Sequence, residues 1–196
     1  MKPSQRFVER DPLQNFVEFE SAAPEHADEL VRIRISAMRE SLASLGRFDP
    51  ERARERFLSG FSSEHTRFII FHGARVGFVV VKPEQGSLKL DHLYIEPEFQ
   101  RQGIGGLVLQ SIFTVADEHE LPITVTALRD SDSNQFYQRH GFVYQDESEW
   151  DINYVRFPRT IRGTNEPWHH IDFSAFPPPD NMTPTSQPGF AITLIH

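Results

Sequence analysis

The sequence predicts an α+β fold with about seven strands and about four helices. Three observations carry that expectation. Between Thr66 and Pro97, strand-forming residues fall in three stretches divided by two turn signals. Residues 24–46, 49–61 and 105–119 place apolar side chains at helical spacing. Strand-forming sequence returns at Leu121–Arg129 and again after Phe142. At 196 residues, these elements suit one domain with an appendage.

In chain order, Asn15–Ala22 alternates apolar and polar residues. Phe16, Glu18 and Glu20 fall on one face and Val17 and Phe19 on the other, the pattern of a strand. The next stretch places Leu30, Ile33, Ala37, Leu42 and Leu45 on a helix, with Pro24 near its start and Gly46 at its end. Asp49 is a natural cap for a second helix, and Pro50 suits its first turn because that N–H has no intrahelical partner. The three central strands turn near His72–Arg75 and Pro83–Gly86. A helix from about Gly105 to His119, a strand rich in Ile123–Thr126, a short helix stopped by Gly141 and two closing strands complete the series.

From Thr160 the texture changes. Pro167, Pro177, Pro178, Pro179, Pro184 and Pro188 interrupt the chain, which is expected to be extended. Gly189–His196 is apolar enough for a final strand. The expected division is an extension at 1–14, the domain at 15–159 and a proline-rich tail at 160–196.

Composition excludes several functions. No cysteine is present, so disulfides, thiolate metal sites and cysteine nucleophiles are absent. A net charge of −8 argues against a nucleic-acid partner, which usually needs a basic face. No apolar run approaches the roughly 18 residues of a membrane span, and the start lacks a signal-peptide core, so a cytoplasmic location is expected. Trp168, His169 and His170 offer two adjacent histidines without a third ligand, and no metal is expected.

The chemistry concentrates in Glu96–Gln110, EPEFQRQGIGGLVLQ. Gly103, Gly105 and Gly106 precede an apolar helix start, where each glycine costs about 1 kcal/mol of helix propensity. Removing the Cβ lets an anion approach the unpaired N–H groups of a helix N-terminus. Gln100, Arg101, Gln102, Gly103, Ile104, Gly105 and Gly106 thus read as a main-chain cradle for a phosphate-bearing ligand. An ATP-type loop would need Gly-Lys-Ser/Thr at its end, where Gly105-Gly106-Leu107 stands. A dinucleotide loop would need Gly or Ala where Val108 stands.

The six residues Gln100–Gly105 match the pattern Q/R-x-x-G-x-G/A. With LDHLYIEPEF before them and SNQFYQRHGF after them, in that order, the chain resembles the GNAT family of N-acetyltransferases from about Asn15 to Phe157. The resemblance implies a mixed, mostly antiparallel sheet and acetyl-CoA as co-substrate, with its pyrophosphate on the cradle. The fourth strand would splay from the fifth, and the peptide groups of Leu93, Tyr94 and Ile95 would meet the pantetheine. Tyr137 would assist the departing thiolate. Asp91, placed by simple alternation on the face of Leu93 and Ile95, would take the amine proton, with His92 on the opposite face as the other candidate. The family's usual Asn and Ala before Phe-Tyr are replaced by Asp130 and Ser133, and Asn134 is out of register.

The resemblance places the acceptor beside about Met38–Phe61, where Arg39, Arg47 and Phe48 are candidates to hold it. The acceptor itself, a primary amine of a small molecule or a protein, is not legible. A non-catalytic acyl-CoA sensor is the alternative reading, and the apolar terminus also suits a homodimer contact.

Overall fold

The computed structural model describes residues 17–44 and 49–159, with side chains described for 17–39 and 49–159. Among the described residues the strands are β1 (Glu18–Ser21), β2 (Thr66–Phe71), β3 (Ala74–Glu84), β4 (Ser87–Ile95), β5 (Ile123–Leu128), β6 (Val143–Glu147) and β7 (Asp151–Arg156). The α-helices are α1 (Ala27–Ser44), α2 (Pro50–Gly60), α3 (Ile104–Glu118) and α4 (Ser133–Arg139). Arg47, Phe48, the 1–14 extension, Trp168–His170 and the tail from Thr160 lie outside the described residues.

The seven strands form one sheet in the order β1-β2-β3-β4-β5-β7-β6. Every pair is antiparallel except β4–β5. Short turns join β2 to β3 and β3 to β4, whereas the parallel step requires a crossover, and α3 supplies it. The turns fall at the positive-φ residues His72, Gly73 and Gly86.

Each face of the sheet carries its own helices. Ile104, Val108, Leu109 and Ile112 of α3 and Tyr137 of α4 pack with Val79, Leu90, Leu93 and Val125 on one face. Leu30, Ile33 and Met38 of α1 and Phe57 of α2 pack with Phe68, Phe78, Val80, Tyr94 and Leu128 on the other. Asp49 caps α2 as expected, its Oδ1 accepting from the Arg52 N–H at 3.1 Å. The N-cap position of α4 makes no side-chain cap. Asp132 stands at that position without a capping bond, and the turn is held instead by the Asn134 and Ser131 side chains.

Gly77 has a steric reason to be glycine. A Cβ there would collide with the carbonyl oxygen of Tyr94 on the neighbouring strand. Gly77→Ala should therefore cost about 2–3 kcal/mol, as overpacking against a backbone that cannot retreat. Thermal or urea unfolding checks this, and a cost below about 0.5 kcal/mol would contradict the close approach of β3 and β4.

Candidate active site: a split sheet beside a bare helix start

β4 and β5 pair only over Leu88–Leu90 and Ile123–Val125. Beyond that point β4 stays with β3 as far as Ile95, while Thr126–Leu128 of β5 stay with β7. The sheet thus divides between two strands that each keep their outer neighbour. The main chain of β4 past Leu90 borders an opening.

Which peptide groups face it follows from ladder geometry. The Glu96 N–H donates to Val76 O at 2.8 Å. Hydrogen-bonded pairs alternate along an antiparallel ladder, so Phe78–Tyr94 is bonded, whereas Leu93 and Ile95 turn their peptide groups away from β3. This corrects the expectation for Tyr94, whose peptide groups belong to the β3 ladder and whose carbonyl faces Gly77. The Ile95 carbonyl accepts from Gln100 Nε2 at 2.8 Å, so Gln100 ties the cradle to the strand end through its side chain. Leu93 and the Ile95 N–H remain directed at the opening.

β4 also carries a bulge. Val80 pairs with His92 and Val81 with Leu90, leaving Asp91 as the extra residue. Alternation is interrupted there, so Asp91 does not share the face of Leu93 and Ile95 as expected from the sequence. It lies with His92 on the α1/α2 side. Its Oδ2 is 2.6 Å from Lys82 Nζ and 4.0 Å from His92 Nε2, and its Oδ1 is 3.8 Å from Lys89 Nζ. Burial alone would raise the Asp91 carboxyl. The adjacent His92, the Lys82 hydrogen bond and Lys89 outweigh it and hold the group below the usual aspartate range.

The His92 ring packs against Tyr94, Phe57 and Phe78, with centroids 5.6, 5.5 and 6.3 Å away. Its Nδ1 is buried and has no hydrogen-bond partner among the described residues. Burial, partly opposed by Asp91 and reinforced by Arg34 and the two lysines, pushes its pKa down to about 3. An unfolded His92 takes a proton near pH 6.5 and the folded one resists until about 3. Its contribution is therefore complete above pH 6.5 and is lost as the pH falls from there toward 3. Unfolding free energies of the wild type and His92→Phe at pH 7 and 4 should show this. The wild type should lose on the order of 3 kcal/mol more than the variant. Equal losses would mean that His92 titrates normally.

Arg34 of α1 fixes the neighbouring ring, its Nε donating to Tyr94 Oη at 3.3 Å while its Nη1 donates to Ala53 O on α2 at 2.6 Å. Arg34 was not singled out by sequence, because an arginine at helical spacing reads as surface, yet it is buried. Arg39 is exposed on α1.

The cradle begins α3. Gly103 is its N-cap at φ +82°, with no side-chain cap, and Arg101 also has positive φ, at +60°. The Leu107 N–H reaches the Gly103 carbonyl, and the preceding N–H groups of Ile104, Gly105 and Gly106 are the uncapped donors of the helix. A Cβ at Gly103 would meet nothing within 4 Å, so the helix start is open on the side that its Cβ would take. Arg101 and Gln102 are exposed beside it, and Gln102 Nε2 donates to Glu98 O at 3.1 Å. Gly106 has a different reason. A Cβ there would stand 3.1 Å from His140 Nε2, so its bareness admits the end of α4. A diphosphate fits this arrangement of bare, convergent N–H groups beside open space.

Tyr137 is fully buried in the same core cluster as Leu93, Ile95 and Ile104, edge-on to Phe136 and Phe142. Asn134, which the sequence left out of register, links three elements. Its Nδ2 donates to Leu128 O and Ser131 O, both at 2.8 Å, and its Oδ1 accepts from Tyr154 Oη at 3.0 Å. It fastens the end of β5, on the far side of the opening, to α4 and β7.

A sheet split between one parallel pair of strands, with a bare helix start beside it, is the α+β arrangement that the resemblance to the GNAT family implies. Residues 24–158 match the family model described as an acetyltransferase (GNAT) domain, and the chain belongs to that family. The fold is similar to that of the PaiA N-acetyltransferase from Thermoplasma acidophilum in complex with coenzyme A. The TM-score is 0.59 at 18% identity, over 72% of this chain and 98% of that one. An acetyltransferase from Thermus thermophilus gives 0.59 at 18%, over 74% and 98%. The ribosomal-protein-S18-alanine N-acetyltransferase from Escherichia coli gives 0.56 at 14%, over 77% and 99%. No curated protein matches the sequence. Among the described residues no helix is long and apolar enough to cross a membrane.

Proposed function

We propose that the protein transfers an acetyl group from acetyl-CoA to a primary amine of a small molecule or protein, directly and within a ternary complex. The observation that carries this reading is the β4–β5 opening continuing from the uncapped start of α3. Together they offer N–H donors for a diphosphate, then a strand edge for a chain of amides. The coenzyme A complex of the PaiA N-acetyltransferase supports the same choice of co-substrate.

Bound acetyl-CoA supplies a thioester whose acyl carbon accepts a nucleophile. Main-chain N–H groups within Arg101–Gly106 hold the diphosphate, the Gln100 N–H being already given to Pro97 O, and Leu93 and Ile95 orient the amide chain. The amine nitrogen forms the new C–N bond as the C–S bond breaks. Tyr137 donates a hydrogen bond to the departing sulfur, or a proton that it regains from solvent after the transfer. With Asp91 and His92 both held below their ordinary pKa values, neither retains a proton from an alkylammonium. The amine enters as the free base and its surplus proton leaves to solvent on the α1/α2 side. Asp91 then acts through charge, keeping Lys82 and Lys89 on the bulge.

Melting temperatures with coenzyme A, NAD and ATP test the co-substrate. Coenzyme A alone should raise them, by mass action on the folded state. An amine panel with a thiol-reactive dye then tests transfer, because this cysteine-free chain adds no background. With a substrate found, kcat/KM should climb about tenfold per pH unit toward the amine's own pKa. A plateau between pH 5 and 8 would assign the proton to an enzyme group instead.

A further inference from the structure

We infer that Asp151 binds a positive charge on the acceptor, and hence that the acceptor is a diamine or longer polyamine acetylated at its other end. The inference rests on the acetyl transfer proposed above. Asp151 opens β7 and is only 4% exposed. Its Oδ1 is buried with no hydrogen-bond partner among the described residues. The turn does not need that carboxylate. The Asp151 N–H donates to Ser148 Oγ at 3.1 Å, and its carbonyl accepts from the Ser148 N–H at 2.8 Å. A buried carboxylate without a donor is unfavourable, and an ammonium supplies both the missing hydrogen bond and the opposite charge.

Its place on the sheet directs it to the acceptor side. Asp151 stands opposite Leu128, and partners across a ladder share a face. Leu128 packs with Leu30, Met38, Phe57 and Tyr94, so this is the α1/α2 face that also carries His92. Arg56 of α2 is the described cation whose charge acts on Asp151. Burial raises the Asp151 carboxyl, and Arg56 only partly offsets that.

The spacing selects the class of amine. β4 and β5 part after Val125, and Leu128 lies three residues further along β5. At roughly 3.3 Å per residue, that puts Asp151 about 10 Å from the point of divergence. The lysines paired to Asp91 lie at that point and favour a neutral reacting nitrogen. A neutral nitrogen near the bulge and a charged one near Asp151 are the two ends of one short diamine. The chain's net charge of −8 favours the approach of such a cation.

The test compares pentylamine with 1,5-diaminopentane by coenzyme A release, using the full chain and Asp151→Asn. The wild type should prefer the diamine by roughly 10- to 100-fold in kcat/KM, expressed mainly in KM. Asp151→Asn should remove that preference without lowering the melting temperature or the shift caused by coenzyme A. Equal use of both amines by the wild type would overturn the inference. So would a loss in Asp151→Asn that is the same for both amines and accompanied by a lower melting temperature, the mark of a structural carboxylate. Release with neither amine nor any other would overturn the transfer reading. Calorimetric binding of the diamine to the protein loaded with coenzyme A, in wild type and variant, would then still decide the role of Asp151.

Discussion

Gly103→Val should weaken coenzyme A binding at least about 100-fold, equivalent to roughly 2.7 kcal/mol, while the protein stays folded. Two effects combine. At φ +82° a β-branched residue is strained, which displaces the uncapped N–H groups that follow. The added methyls also enter the open space before them, where a diphosphate must approach. The variant should show a native circular dichroism spectrum and a modestly lower melting temperature, because nothing packs against this position. Isothermal titration with coenzyme A decides the matter. Unchanged affinity with a native spectrum would remove the cradle from the site.

Tyr137→Phe should lower kcat by roughly 10- to 1000-fold with little change in KM for acetyl-CoA. The ring is wholly buried between Phe136 and Phe142, so phenylalanine keeps the packing and removes only the hydroxyl. Steady-state kinetics and melting temperature separate the two roles. A fall in kcat without loss of stability supports a hydroxyl acting on the leaving sulfur. Full activity would make Tyr137 a packing residue and send the thiolate elsewhere for its proton. A stable acyl-enzyme formed with acetyl-CoA alone, detected by mass spectrometry, would contradict direct transfer altogether.

Element order and the uncapped start of α3 were legible because each rests on local rules. Asp49 with Pro50 announces a capped helix wherever it occurs, and glycines before Leu107–Leu109 announce a bare helix start. The face of Asp91 was not legible. Strand alternation is a rule of register, and one unpaired residue reverses it. No local signal marks that bulge, since LKLDHLYI reads equally well as an unbroken strand. The peptide orientation of Tyr94 was hidden for a related reason, because it depends on which pairs of the β3–β4 ladder are bonded. Asp151 and Arg34 were missed because charged residues are expected outside, and only the packed structure shows them inside.

Only three register pairs, Leu88–Ile123, Lys89–Thr124 and Leu90–Val125, stitch the strands β1–β4 to the strands β5–β7. The sheet is therefore two stiff plates joined by a short seam. A ligand lying along that seam and bonded to strand edges, as proposed, would do the work of a missing strand. Its arrival would be felt as mechanical closure, through slower amide exchange on both plates and greater resistance to proteolysis between them. On this view the co-substrate would also be a splint, and the protein would be stiffest at the moment it is loaded to react.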